Sequence, residues 1–283
     1  MLVDKPAGIT SHDAVQRVRR ALGTRAAGHT GTLDPFATGL LVVLLGRATR
    51  LARFVEAQPK TYLATARLGV RTDTDDVTGA VLGAAAAETP VGESVVRQTL
   101  AGFAGVQRQR PPVYSAKQVG GARSYRLARR GEAVVLPEVT ITVHAIELLW
   151  YREPELGFRA TVSAGTYLRA IARDLGDRLG VGAHLTALRR EAIGPLRIEE
   201  AVALDRVALE AVVPPRRVLS HLPALELDEP ARRAVVQGRA VPGGPVRSGD
   251  TGAVVALLAG GELVAVANEA DGWLRPTVVL GTA

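Results

Sequence analysis

Residues 39–46 read GLLVVLLG, six consecutive apolar residues between two glycines, and no other run limits the folding of this chain so tightly. A stretch of that length and composition reads as a buried strand. The segment leading into it, GHTGTLDPFATG, sets Asp34 among glycines, threonines and a proline. Gly28, Gly31 and Pro35 make a turn whose backbone can approach a ligand closely, with the strand as rigid support. An aspartate in a turn also has an ordinary use, bonding its own backbone. Spacing alone leaves both readings of Asp34 open.

Around this strand the chain alternates elements. Thr10 or Ser11 caps a helix with Asp13 early in it and Val15, Val18 and Leu22 on one face, and Gly23 ends it. RATRLARFVEA reads as a basic helix, KTYLATARLG as a strand and ESVVRQTLAGFAG as a helix. EVTITVHAIELLWY and LGFRATVSAG read as adjacent strands, and TYLRAIARDLGDRLG as a helix with Leu168, Ile171, Ala172, Leu175 and Leu179 on one face. The fold class is mixed α+β, and 283 residues at 47% hydrophobic suffice for one large core and a smaller one. The boundaries expected are a domain over 1–213, a linker over 214–221 (within PPRRVLSHLP) and a small β domain over 222–283, with a hairpin turning at Gly260 and Gly261. The chain has no cysteine, so disulfides and thiolate-metal sites are excluded. Neither an export signal nor a run of about 20 apolar residues is found, and a cytoplasmic protein is expected.

The net charge of +7 favours a polyanionic partner, and its distribution says more than its total. Between residues 104 and 131 stand Arg108, Arg110, Lys117, Arg123, Arg126, Arg129 and Arg130, with no acid. Tyr114 and Tyr125 sit among them. Cations that neutralise phosphates, interleaved with rings that stack on bases, suit nucleic acid, though a solvated basic face has the same composition. From Leu222 onward there are five Arg against seven Asp and Glu, so the basic excess lies upstream.

Few clusters suggest other chemistry. Ser11, His12 and Asp13 are neighbours in sequence, which suits helix capping better than a triad assembled in space. The five histidines, His12, His29, His144, His184 and His221, lack metal-ligand spacing. RTDTDDVTG (71–79) starts like a calcium loop and then fails, with Val77 and Thr78 where a ligand and a glycine are needed. It leaves Asp75 available as an orienting carboxylate. Arg169 falls in the first turn of its helix, where the backbone dipole is already positive, so a nearby negative partner is expected unless the side chain bends into water. A carboxylate partner would be held ionised and fixed in direction.

Five stretches together resemble the TruB family of tRNA pseudouridine synthases: LVDKPAGITSHDAV, GHTGTLDPFATGLL, KTYLATARLGVRTDTDDVTG, RPPVYSAKQVGGARSYRLARRGE and VSAGTYLRAIARDLGDRLGVGAHLTALRR. They occur in the family's order and span residues 2–190. The resemblance implies a synthase core with a mostly antiparallel central sheet flanked by helices, an RNA-binding insertion over about 104–137, and a C-terminal β pseudo-barrel of the PUA type. It implies isomerisation of the T-loop uridine of tRNA, position 55, after base flipping. It makes Asp34 the nucleophile or ribose-proton acceptor, Arg169 its partner, and Tyr62 the ring on the target base. Asp75 joins the polar network, Tyr167 and Leu185 line the pocket, His29 stands near the opened RNA loop, and Lys5 and Pro6 lie beside the active site. No cofactor and no metal are needed, the partner is the tRNA T stem-loop, and a monomer is expected. The alternative is a non-catalytic RNA-binding or tRNA-folding protein, which would not need Asp34, Tyr62 and Arg169 together.

Overall fold

The chain opens with strand β1 (Leu2–Lys5) and helix α1 (Ser11–Ala21). Thr10 caps α1 reciprocally: Asp13 N donates to Thr10 Oγ1 at 3.1 Å and Thr10 N donates to Asp13 Oδ2 at 2.9 Å. Gly23, at φ +60°, follows its end. Strands β2 (Ala27–His29) and β3 (Thr38–Leu45) come next, and β3 is the apolar run. Its residues alternate between two cores, as strand geometry requires. Leu41 and Val43 pack with Val3 and the apolar face of α1, whereas Leu40, Val42 and Leu44 face the opposite layer.

Expected as one basic helix, 47–57 divides into a 3-10 turn (Gly46–Leu51) and α2 (Ala52–Glu56). Thr49 Oγ1 bonds back to Gly46 O at 2.8 Å and tightens the first turn. The next elements are β4 (Lys60–Leu68), β5 (Val70–Thr72), β6 (Val81–Ala84), α3 (Glu93–Ala101) and β7 (Gly105–Gln109). The basic insertion contributes β8 (Gln118–Val119), β9 (Ala122–Arg123) and α4 (Ser124–Arg129). It is followed by β10 (Val139–Arg152), β11 (Glu155–Val162), α5 (Leu168–Arg178), β12 (Ala183–Ile193), β13 (Leu196–Arg197) and β14 (Val202–Ala203). The computed structural model describes the chain apart from residues 85–89, 116, 120, 131, 133, 244–251 and 282–283.

The central sheet runs β14-β1-β3-β12-β4-β11-β10-β7, with β2 and β13 attached at β3 and β12. Only β1/β14 and β3/β12 pair in parallel among these, so the sheet is mostly antiparallel. On β4 the residues Tyr62, Ala64, Ala66 and Leu68 are buried and their alternates are more exposed. The buried set packs with α3 and with Leu168, Ile171, Ala172 and Leu175 of α5, the face expected from sequence.

The stretch expected as a linker carries α6 (Pro215–Val218), and Val218 and Leu219 are fully packed. Beyond it lie β15 (Ala224–Glu226), α7 (Glu229–Val236), β16 (Val241–Pro242), β17 (Val254–Ala259), β18 (Glu262–Ala270) and β19 (Trp273–Val279), a sheet in the order β15-β17-β18-β19-β16. Gly260 and Gly261 turn the β17/β18 hairpin at φ +58° and +79°, the left-handed pair a two-residue turn demands. One face of this sheet packs on α7; the other places Ala256, Leu263, Val266 and Val278 against Leu40, Val42 and Leu44 of β3. Arg47 and Arg50 bond the carbonyls of Val279, Leu280 and Gly281 across the same junction.

Candidate active site

The loop between β2 and β3 is pinned at several points around Asp34. Ser11 at the start of α1 is buried and exchanges two bonds with Leu33: Leu33 N donates to Ser11 Oγ at 2.8 Å, and Ser11 Oγ donates to Leu33 O at 3.1 Å. Gly8 N donates to Pro35 O at 2.8 Å. Lys5 is wholly buried; its Nζ donates to Pro6 O and Ile9 O, both at 2.8 Å, and reaches Pro35 O at 3.5 Å. Burial lowers its pKa to about 8, with Asp34 pulling the other way. Lys5 is therefore a clasp inside the loop, and Pro6 is an exposed residue on that clasp outside the main cavity.

Arg190 holds the ends of the same loop. Its Nε donates to Leu40 O at 2.7 Å and its Nη2 to Gly31 O at 3.0 Å, and the side chain is buried. Its backbone runs so close to Gly39 that a Cβ there would lie 2.3 Å from Arg190 O, which explains the glycine. A bulge in β12 between Leu185 and Ala187 decides which side chains reach this face. Past the bulge, Leu188 and Arg190 lie opposite Ala64 and Tyr62 on the side of the cavity.

Asp34 meets Arg169, so the first-turn arginine finds a negative partner rather than bending into water. Arg169 Nη2 donates to Asp34 Oδ1 at 3.2 Å, and Nε lies 2.9 Å from Oδ2 without its N–H aimed along that line. The guanidinium is buried at 4% side-chain exposure and has further partners: Thr74 O at 2.8 Å, Tyr114 O at 2.9 Å and Asp76 Oδ2 at 3.4 Å. The acid that joins it directly is thus Asp76. Asp76 is itself fixed by Thr74 Oγ1 at 2.8 Å and Thr78 N at 2.9 Å. Asp75, at φ +59°, turns away and pairs with Arg173 at 3.1 Å, one helical turn after Arg169. Burial raises the Asp75 pKa to about 6 against the pull of Arg173.

Burial likewise pushes the Asp34 carboxyl above the ordinary carboxylate range, while Arg169 pulls it down and Asp76 pushes it up. The sequence suggests that a neighbouring guanidinium would hold Asp34 charged. The guanidinium is there, and the buried setting outweighs it. Asp34 still presents 32% of its side chain to a cavity of about 400 Å³. Tyr62, Tyr167, Leu168, Leu188, Ser115 and the turn from Ser163 to Thr166 line that cavity. Tyr167 precedes α5, its N–H and C=O both bonded to the Gln109 side chain, and burial raises its phenol pKa.

Some sequence-derived assignments move. Leu185 is fully buried beneath the acidic turn, its N–H donating to Asp75 O at 3.1 Å, and Leu188 lines the cavity instead. His29 is half-buried outside the lining; burial, then Arg190, lowers its pKa, and its Nδ1 is buried without a hydrogen bond. The cavity also includes Glu56, Lys60 and Arg190, none of them singled out from sequence. Lys60 donates to Glu56 O and to Gln58 O, and burial lowers its pKa to about 8. The packing contacts that bury these cations are set by strand pairing, which no local motif encodes.

Of the basic residues in the insertion, Arg108 and Arg110 are exposed and approach Glu138 at 3.6 and 3.8 Å, and Arg130 approaches Glu132 at 3.9 Å. Arg126 stacks beside the Tyr125 ring, and Lys117 is half-buried. The backbones of Arg123 and Arg129 lie in β9 and α4; their side chains fall outside those described. The insertion touches the site directly, since Tyr114 O and Arg110 O accept from Arg169 and Arg173. Among the described residues, no group of three or more His, Asp or Glu could hold a metal ion, and no helix is long and apolar enough to cross a membrane.

Fold and sequence together define the class as that of the pseudouridylate synthases. Residues 19–168 match the N-terminal domain of the TruB family pseudouridylate synthases, and residues 169–217 match the tRNA pseudouridylate synthase B C-terminal domain. The tRNA pseudouridine synthase B of Thermobifida fusca (strain YX) is 44% identical over 289 residues, covering 99% of this chain and 97% of that protein. That of Geobacillus kaustophilus (strain HTA426) is 40% identical over 252 residues, covering 84% and 88%. A solved Cbf5-Nop10-Gar1 complex contains a chain of the same fold, with a TM-score of 0.77 at 28% identity, covering 99% of this chain and 84% of that one. This chain belongs to the TruB family of pseudouridylate synthases.

Proposed function

We propose that this chain converts uridine 55 in the T stem-loop of tRNA to pseudouridine, with Asp34 as the group that acts at the ribose. The observation that carries this reading is the Asp34 carboxylate, gripped by buried Arg169 and open to a cavity walled by Tyr62 and Tyr167. The N1–C1′ bond breaks, the base turns, and C5–C1′ forms; a proton leaves C5 and one is gained at N1. The reaction is an isomerisation and needs no external electrons. Asp34 attacks C1′ or accepts a ribose proton so that the base departs through a glycal. Both routes need an ionised carboxylate, which Arg169 favours and burial opposes.

Tyr62 lies against the flipped base and is the candidate acceptor of the C5 proton. Extruding a stacked base costs a few kcal/mol, offset by phosphate contacts and ring stacking. The exposed Arg108, Arg110, Arg126 and Arg130 are suited to the phosphates, with Lys117, Arg123 and Arg129 completing the basic insertion. Lys5, outside the cavity lining, acts by holding the loop rather than by touching the base, and His29 stands near the opened RNA loop. The protein works as a cytoplasmic monomer in this reading.

The test is release of label from C5 of uridine in an unmodified T stem-loop, for the parent and Asp34→Asn. The parent releases label, and the variant is slower by at least about 1000-fold. Equal rates would remove Asp34 from the mechanism, and a parent without release would refute the substrate.

A further inference from the structure

Helix α1 carries a second basic surface, separate from the insertion. Its buried face uses Ser11, Ala14, Val15 and Val18, which leaves Arg17 and Arg20 exposed, with Arg25 exposed in the turn beyond. Among the described residues none of these three makes an ion pair, and Asp13 acts on Arg17 from the same helix. Two concavities flank the helix. One is lined by Gln16, Arg19, Arg20 and Arg25. The other holds Arg17, Lys5 and Arg189 but also Asp205 and Asp4, which pairs with Arg189 at 2.7 Å, so the basic excess lies on the Arg20 and Arg25 side. The helix dipole accounts for cations in the last turn, Arg19 and Arg20, but not for Arg17 or for Arg25 beyond the helix.

The position of this surface is fixed by contacts already described. Ser11 anchors the start of α1 to Leu33, beside Asp34, and an 11-residue helix is about 16 Å long. At the other end, Arg19 Nη2 donates to Ala27 O at 2.6 Å in β2, and the stretch from Arg25 to Gly31 at the cavity spans at most about 22 Å. The insertion reaches the cavity from α5, through Tyr114 O and Arg110 O. Both the α1 surface and the insertion thus lie within reach of the cavity.

We propose that the α1 surface, centred on Arg20 and Arg25, binds backbone phosphates of the RNA whose base enters the cavity. It is a second electrostatic contact working with the insertion, and it rests on the reading of tRNA as substrate. A duplex strand carries a phosphate at every 3.4 Å or so of axis, so a surface of this length spans several of them.

The test uses full-length chains and an unmodified tRNA transcript. Binding is measured in the Asp34→Asn background across salt concentrations, with and without Arg20→Ala and Arg25→Ala. Each phosphate contact contributes about 0.7 to 0.9 to the slope of log affinity against log salt. The double variant should be shallower by about 1.4 to 1.8, and with Asp34 intact it should raise KM while leaving kcat at saturating tRNA unchanged. Arg20→Lys with Arg25→Lys should keep the parent slope, since the charge remains. A parental slope in the alanine variant, or an equal loss in the lysine variant, overturns the proposal. If the chain with both arginines binds no tRNA, the substrate reading falls and this surface falls with it.

Discussion

Replacing Arg169 with glutamine tests the centre of the site. In the parent, its guanidinium lies within about 3 Å of Asp34 and within 3.4 Å of Asp76, and it is almost wholly shielded from water. An opposite charge this close lowers a carboxyl pKa by roughly 1 to 3 units. Coulomb's law at an effective dielectric near 20 gives about 4 kcal/mol at 4 Å, which is the upper end of that range. Asp34 starts above the ordinary carboxylate range because burial dominates, so removing the guanidinium carries it further up. With Asp34 acting at the ribose as proposed, activity needs the ionised form and should be lost as pH falls through the folded-state pKa. The acid limb of the rate profile for C5 label release should therefore move up by about 1 to 3 units in Arg169→Gln, with partial recovery at alkaline pH. Stability should fall by about 3 to 5 kcal/mol near neutral pH, because the carboxyl groups of Asp34 and Asp76 lose their shared buried partner. The loss should shrink as pH falls and Asp34 takes up a proton. A variant that keeps the parental pH profile and unfolding midpoint would refute the assignment of Arg169 as the electrostatic partner of Asp34.

Other substitutions probe the surroundings. Ser11→Ala removes both bonds to Leu33 and should lower kcat about 10- to 100-fold with little change in KM, measured by steady-state label release. Gly39→Ala places a methyl against the Arg190 backbone at φ +106° and should cost more than about 3 kcal/mol, visible as a lower unfolding midpoint or loss of soluble protein. Asp75→Asn should change the pH dependence of stability. With a folded pKa near 6 against an ordinary 3.8, Asp75 makes the parent less stable as pH rises from about 4 to about 6, by at most about 3 kcal/mol. Urea midpoints of the asparagine variant should lack that decline.

Elements with local chemistry were readable from sequence. The Thr10 cap, the apolar run of β3, the Gly260-Gly261 turn and the buried face of α5 each depend on residues a few positions apart. Arg169 was readable in part: its place in the first turn suggested a negative partner or a side chain bent into water, and the family resemblance named Asp34. What the sequence could not settle was which acid of the 71–79 turn points inward, since adjacent residues diverge and the left-handed backbone at Asp75 aims Asp76 at Arg169 instead. The exchange of Leu185 for Leu188 has a similar cause. One extra residue in β12 shifts the register, and no nearby residue announces a bulge. Lys5, Lys60 and Arg190 were hidden as structural cations because their partners are carbonyls, which any sequence supplies. Glu138, outside the acid-free window, also went uncounted as a neighbour of Arg108 and Arg110.

The apolar layer shared by β3 and the C-terminal sheet ties the tail of the chain to the reaction. Leu40, Val42 and Leu44 are roofed by residues more than two hundred positions later, on the very strand that supports Asp34. The final strands are thus part of the scaffold beneath Asp34, not an accessory hung from it. A substitution at Val266 or Val278 should loosen the aspartate's footing from the far side of β3.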